Sequence, residues 1–384
     1  MAMAGVNGRL WSFHHAFRHE VRVAWRKPAV HWLVWCFPLL LFALIASDFS
    51  AGTLLDLPVV AVDQDHSPMS RQLIRNLDAG SHARVTVSDG GLPEALERLR
   101  KAQDYSVLLI PPYFEADVLA GRQPAVTLYY NALFYGAGFY STQDFSGLMS
   151  ELNSQYRPWL AAASGKSVPT LPNVSLDYDS LFNASGSYIY YQQFAACIHM
   201  LQLFAVTLTI WLLARARPLI YKRHFAAAVL GKLFPYTLCY TVLLMAEFAL
   251  LVGIFGARVV GNPFYMLSVA FFYVMAAQSL GVLLFTFTGS AITAYSLMGI
   301  MVSLALTFSG IAMPELSMPW IAQLIANIEP LTHALYAMFD IFLRDVPGKP
   351  VLGVCVLLLI YPLAAALLVR KRLYQRLVKP EATQ

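Results

Sequence analysis

Few residues in this chain have the types and spacing for chemistry. Ser164-Gly165-Lys166-Ser167 ends like a loop that cradles phosphates. Such a loop also needs a glycine five positions before Gly165, and Leu160 stands there. No other stretch offers a nucleotide site, so the chain is not expected to hydrolyse ATP by itself. His14, His15 and His19 lack acidic or cysteine partners at ligand spacing, and basic decoration of a helix accounts for them better than a metal. Asp63, Asp65 and His66 close an expected strand, where acids hold a turn or a helix N-terminus more often than a ligand. Glu247 stands alone within Leu-Met-Ala-Glu-Phe-Ala-Leu-Leu. A carboxylate at the centre of a bilayer costs at least about 2.5 kcal/mol. It should therefore face a bundle or a watery path and find a partner. Two roles stay open for it: a translocation-path or helix-contact residue, or a protonated, hydrogen-bonded glutamate.

The elements around these residues are mostly apolar. Of 384 residues, 58% are hydrophobic and 13% charged, against about 25% charged in a typical soluble domain. Apolar runs of about 20 residues can cross a hydrocarbon core roughly 30 Å thick. The class is a polytopic α-helical membrane protein. Six spans are expected, at Ala29–Ala46, Tyr191–Leu213, Leu233–Phe255, Phe264–Phe287, Ala291–Met313 and Val351–Val369. Between Pro314 and Pro350, the short apolar pieces Pro319–Asn327 and Thr332–Leu343 flank Glu329-Pro330, which suits a hairpin dipping into the membrane at about 314–349. Gly281, Gly289, Ser290, Ala291 and Ala294 should let the fourth and fifth spans pack closely. The cysteines Cys36, Cys197, Cys239 and Cys355 all lie in apolar runs, where a thiol serves as a small hydrophobe.

One stretch differs. Residues 48–187 carry nine Lys/Arg against fifteen Asp/Glu, in a chain with a net charge of +5. Their pattern alternates: strands at Leu57–Asp63, Ala83–Ser88, Tyr105–Ile110 and Ala125–Tyr130, and helices at Ser67–Ala79, Leu92–Gln103 and Tyr113–Ala120. This argues for an α/β domain with a mainly parallel sheet. A long helical pattern from Gly138 to Ala163, interrupted near Pro158, and a Pro/Asn/Ser-rich linker from Ser164 to Ser187 follow.

The basic residues set the orientation. They cluster before the first span (Arg9, Arg18, Arg22, Arg26, Lys27), between the second and third (Arg215, Arg217, Lys222, Arg223, Lys232) and after the last (Arg370, Lys371, Arg372, Arg376, Lys379). With six spans these share one side, which the positive-inside rule makes the cytoplasm. Residues 1–28 then form a cytoplasmic amphipathic interfacial helix, 29–47 the first span, 48–187 an extracytoplasmic domain, 188–369 the remaining spans and 370–384 a basic cytoplasmic tail.

One span, an outward α/β domain, then five spans with a dipping hairpin resembles the permease subunits of type-2 ATP-binding-cassette exporters. Leu57–Leu73 (LPVVAVDQDHSPMSRQL) looks like the family's first strand and helix, and Gly231-Lys232-Leu233-Phe234-Pro235 its entry into span three. Ser309–Pro319 (SGIAMPELSMP) and Glu329–Ala334 (EPLTHA) are similar to its break after span five. The resemblance implies a permease in a bacterial inner membrane, working with separate ATPase subunits that bind the ATP, and no cofactor of its own. It also implies a second permease copy or a paralogue, and leaves a periplasmic adaptor open. Membrane lipids are expected partners and nucleic acid is not. Cargo would be hydrophobic or amphipathic: a drug, a lipid or a polymer. Related loops before span three carry acids and a Gly-Thr pair for ATPase docking, whereas Ala214–Phe225 has no acid. Ile220, Tyr221, His224 and Phe225, flanked by Lys222 and Arg223, are the candidate coupling contacts. The alternative is a non-transporting anchor whose outward domain binds or assembles envelope components. A secondary transporter fits less well, since intramembrane charges are sparse and no internal repeat is visible.

Overall fold

The computed structural model describes residues 2–122, 124–163, 183, 187–216, 224–344 and 346–378. Two units separate along the chain: Ala51–Asp179, and Met1–Ser50 with Ser180–Gln384. The N-terminal helix α1 spans Ala2–Trp25, within the expected residues 1–28. Pro28, which lacks an N–H and suits a first helical turn, opens α2 (Pro28–His31). A π turn (Trp32–Cys36) joins α2 to α3 (Phe37–Asp48), and the three form one apolar helix.

The Ala51–Asp179 unit is built on β1 (Leu57–Asp63), buried at every position except Pro58. A strand that is apolar throughout can bury both faces, as the centre of a parallel sheet must. The chain then runs through α4 (Pro68–Asp78), β2 (Ala83–Val87), α5 (Gly91–Arg100), β3 (Ser106–Ile110), α6 (Phe114–Leu119), β4 (Thr127–Tyr130) and α7 (Tyr135–Ala163). Sheet order is β2-β1-β3-β4. β2 and β3 flank β1 in parallel, while β4 joins β3 antiparallel. Helix α6 advances only about 9 Å, against roughly 16 Å for a five-residue strand. It does not carry the chain back to the start of β3, so β4 enters from the other end. Val59 and Ala61 meet Met69, Leu73 and Leu77 of α4 on one face. Val60 and Val62 meet Ala95 of α5 on the other. Helix α7 continues through Pro158, where the sequence pattern points to an interruption.

The acids at the end of β1 organise the turn after it. Asp63 Oδ1 accepts the N–H groups of Asp65 and His66, each at 3.0 Å, and Oδ2 accepts the Ser70 hydroxyl at 2.7 Å. Ser67 caps α4 by accepting the Ser70 N–H at 3.0 Å. Asp65 Oδ2 accepts the Glu115 N–H at 3.0 Å, in the first turn of α6. Burial pushes the Asp65 carboxyl up. Hydrogen bonds from the Ser67 side chain and the backbone of Glu115, Phe114 and Tyr113 outweigh this and hold it below its ordinary value.

In the other unit, the chain enters through a π turn (Ile189–Gln193) into α8 (Phe194–Ala214). It continues through α9 (Phe225–Gly253), α10 (Pro263–Phe287), α11 (Ala291–Phe308), α12 (Trp320–Ile328), α13 (Pro330–Phe339) and α14 (Gly348–Val378). Six helices are long and apolar enough to cross a membrane: Pro28–Asp48, Ile189–Ala214, Phe225–Gly253, Pro263–Phe287, Ala291–Phe308 and Gly348–Leu377. Two differ from expectation. The third starts at Phe225 rather than Leu233, and the last runs on through its basic residues. Glu329-Pro330 breaks the segment after α11 into two short helices, because a residue before proline avoids the helical region.

Helix α8 is the central post. Tyr240 of α9 donates its hydroxyl to the Phe204 carbonyl at 3.2 Å, and Tyr273 of α10 donates to that of Ile198 at 3.1 Å. A Cβ on Gly281 would lie 2.8 Å from Thr209 Cβ, so the glycine brings α10 against α8. The expected close contact of the fourth and fifth spans is thus corrected at this residue. Gly289 faces open space, and Ser290 caps α11 through the Thr293 N–H at 3.1 Å.

Asp63→Ala should leave the Asp65 and His66 N–H groups without their acceptor, while the Ser70 hydroxyl keeps the Ser67 carbonyl at 3.0 Å, and cost about 1–3 kcal/mol. Hydrogen exchange on the full-length protein should show faster exchange across residues 63–70; unchanged exchange there would contradict this role.

Candidate functional site

Glu20 is the one acid before Asp48, and it is only 4% exposed on an otherwise basic helix. Its Oε2 accepts from Lys232 Nζ at 2.6 Å, and its Oε1 from the Tyr236 hydroxyl at 2.9 Å. Both partners sit one turn apart on α9, so one carboxylate ties α1 to the start of the third span. Gly231 makes this approach possible: a Cβ there would collide with the Phe13 carbonyl oxygen and come within 3.1 Å of Ala16 Cβ. Phe13 and Phe17 pack against Phe234, with ring centroids 5.6 and 6.3 Å apart. The segment Gly231-Lys232-Leu233-Phe234-Pro235 therefore has a local reason: a close-approach glycine, a cation and an aromatic ring at α1. At the end of α1, the Trp211 ring of α8 receives Lys27 at 5.6 Å and Arg215 at 4.6 Å.

Ile220, Tyr221, Lys222 and Arg223 lie outside the described residues. The next two face inward. His224 lies against Gly8 of α1, whose Cβ would sit 2.7 Å from its Nε2. Phe225 is 8% exposed and meets Tyr374 of α14 edge-on at 5.3 Å. They join α1, α9 and α14 on the side where the basic residues gather.

A second group of polar side chains is buried in the bundle. Gln202 of α8 donates to Glu329 Oε1, and the Tyr273 hydroxyl lies 3.3 Å from Gln202 Oε1. Glu329 thus fastens the break between α12 and α13 to the central post. Gln193 Oε1, His199 Nδ1 and Thr332 Oγ1 are buried with no partner among the described residues. Glu247 is 5% exposed. It faces the bundle as its cost in lipid demands, but no hydrogen-bond partner is seen for it among the described residues.

Two signals in the sequence pointed to these groups and were missed. One is the lone acid Glu20 among eight Lys/Arg/His that precede the first span's apolar core. The other is the row Gln193, His199 and Gln202 within an apolar run. Among the described residues no three His, Cys, Asp or Glu side chains are grouped to hold a metal. His14, His15 and His19 are exposed on α1. The segment Ser164–Ser167 lies outside the described residues.

Among the described residues the helices are fastened pairwise by buried polar contacts. A family profile described as ABC-2 family transporter protein matches residues 29–370, which takes in the α/β unit and all or most of each of the six apolar helices. The chain belongs to the ABC-2 transporter family. It is the membrane component of such a transporter, a class without an ATPase site of its own. It is also similar to the inner membrane transport permease YhhJ of Escherichia coli (strain K12), 27% identical over 324 residues, covering 77% of this chain and 80% of that protein. The YhhJ permease of Shigella flexneri matches to the same extent.

Removing one partner of the α1–α9 tie should cost more than removing both. Glu20→Leu or Lys232→Met alone leaves a buried charge and should destabilise by roughly 3 kcal/mol. The double variant should recover most of this in thermal unfolding of the detergent-solubilised protein. Additive losses would show that the pair is not coupled.

Proposed function

We propose that this chain is the permease subunit of an ATP-driven exporter in a bacterial inner membrane. It moves a hydrophobic or amphipathic substrate outward and works with separate ATPase subunits and a second permease, itself or a paralogue. The observation that carries this reading is the family match across 29–370, on a sequence with no nucleotide-binding loop. The similarity to inner membrane transport permeases supports the location. The clustered Lys and Arg support cytoplasmic termini, and with them an extracytoplasmic α/β domain and a re-entrant α12–α13 hairpin.

Force from an ATPase has to enter on the cytoplasmic side. The proposed entry is the segment Ile220–Phe225 together with α1. His224 and Phe225 already pack within the chain, so they transmit motion to α1, α9 and α14 rather than touch the ATPase. Contact then falls to the residues before them, Ile220, Tyr221, Lys222 and Arg223, whose charge calls for an acidic or apolar partner surface.

Reporter fusions after Ser88 and Asn153 should report the outside, and fusions after Lys222 and Val378 the cytoplasm. A cytoplasmic signal after Ser88 would overturn the orientation. Reconstituted with its ATPase, the complex should accumulate substrate in inside-out vesicles only with hydrolysable ATP; no ATP-dependent movement would favour the anchor reading.

Glu247 is proposed as a polar residue of the translocation path. Glu247→Gln should keep both yield and transport, whereas Glu247→Leu should keep yield and lower transport severalfold. Wild-type transport in both would remove Glu247 from the path.

A further inference from the structure

A narrow apolar groove of about 250 Å³ lies between α9, α10 and α14, lined by Val229, Leu233, Val282, Leu359, Leu363 and Ala366 among others. Its volume is below the ~300 Å³ at which pockets for compact small molecules begin, so it suits a slender chain. Arg370 lines it near one end, with Leu373 a turn beyond. The guanidinium is exposed, with no ion pair or hydrogen bond among the described residues, and Lys371 and Arg372 follow it.

The groove's length is informative. Along α14 the lining runs from Leu359 to Leu373, about 21 Å at 1.5 Å per residue, and Arg370 lies about 16 Å from the Leu359 end. Half of a hydrocarbon core is about 15 Å. The stretch between Arg370 and Leu359 thus matches the depth of one leaflet. Its inner polar groups are already satisfied: Thr237 donates to Gln278 Oε1 at 2.7 Å, and Gln278 Nε2 donates to the Leu233 carbonyl at 3.3 Å. Nothing inside calls for a polar ligand, and only the mouth carries charge.

We propose that this groove is a binding site for one acyl chain of an anionic phospholipid, with the lipid phosphate at Arg370. A cation beside an apolar slot selects charge at the headgroup and length in the tail, and a zwitterionic lipid gains only the second. The site sits on the flank of the bundle, apart from Glu247 and the Gln202–Glu329 contact.

The test uses the full-length protein, delipidated in detergent and titrated with phosphatidylglycerol or phosphatidylcholine while bound lipid is counted by native mass spectrometry. Wild-type protein should retain phosphatidylglycerol more tightly. Arg370→Gln should weaken phosphatidylglycerol by about fivefold, to the level of phosphatidylcholine, as expected for one basic residue near an anionic headgroup. Ala366→Phe should fill the slot and weaken both lipids, and circular dichroism should show each variant folded. Equal phosphatidylglycerol binding in wild type, Arg370→Gln and Ala366→Phe would overturn the proposal. So would full competition by inorganic phosphate, which would leave a bare anion site. Disulfide-linked dimers formed through Ala366→Cys would overturn it too, by placing a second copy in the groove.

Discussion

The structure of the helical unit depends on one constraint: in hydrocarbon, a backbone polar group has no water to turn to. Apolar helices satisfy their own backbones, and association must then come from close packing and a few polar contacts. Helix α8 shows both. Gly281 brings α10 up to Thr209, and Tyr240 and Tyr273 give hydroxyls to α8 carbonyls that already serve the helix. Each hydroxyl would be costly to bury alone, so each fixes a register between two helices. Burial follows the same order, with most of α8 enclosed and α11 and α14 largely exposed on apolar faces.

The N-terminal helix extends this logic to the basic segment that precedes the first apolar helix. A basic amphipathic helix would lie loosely on an anionic surface, held by charge that salt screens. Here Glu20 reverses that sign at one point, and Lys232 and Tyr236 meet it in a largely buried site. Aromatic contact from Phe13 and Phe17 surrounds the tie. The result is a helix bound to the third span by a short, partly dry ion pair, so displacement of one should displace the other. The proposed role in coupling rests on this mechanical fact.

Much of the fold was legible because its signals are local and strong. An apolar run of twenty residues leaves few choices, and the short apolar run LPVVAVD, bounded by turn residues, reads as a buried strand. Ser67 before Pro68 marks the start of α4 by its own chemistry. What was not legible depended on distance in three dimensions. The antiparallel entry of β4 follows from the length of α6 measured against β3. Gly281 reads as a contact to its sequence neighbour α11, but the partner is α8, seventy residues away. Glu20 was passed over because its partner lies 212 residues on. Phe225 looked like an exposed docking residue from its apolar character, and its burial against Tyr374 depends on where α14 returns. The polar row on α8 was hidden because amides and imidazoles lower mean hydropathy too little to interrupt an apolar run.

The Glu20 tie requires α1 and the third span to move as one body during the proposed ATP cycle. Spin labels on cysteines at Arg18 and Leu238, in an otherwise cysteine-free permease reconstituted with its ATPase, would measure this by electron–electron double resonance. The same narrow distance distribution should appear without nucleotide and with ATP trapped. A shift of the mean between the two states, or a broad distribution in either, would contradict it.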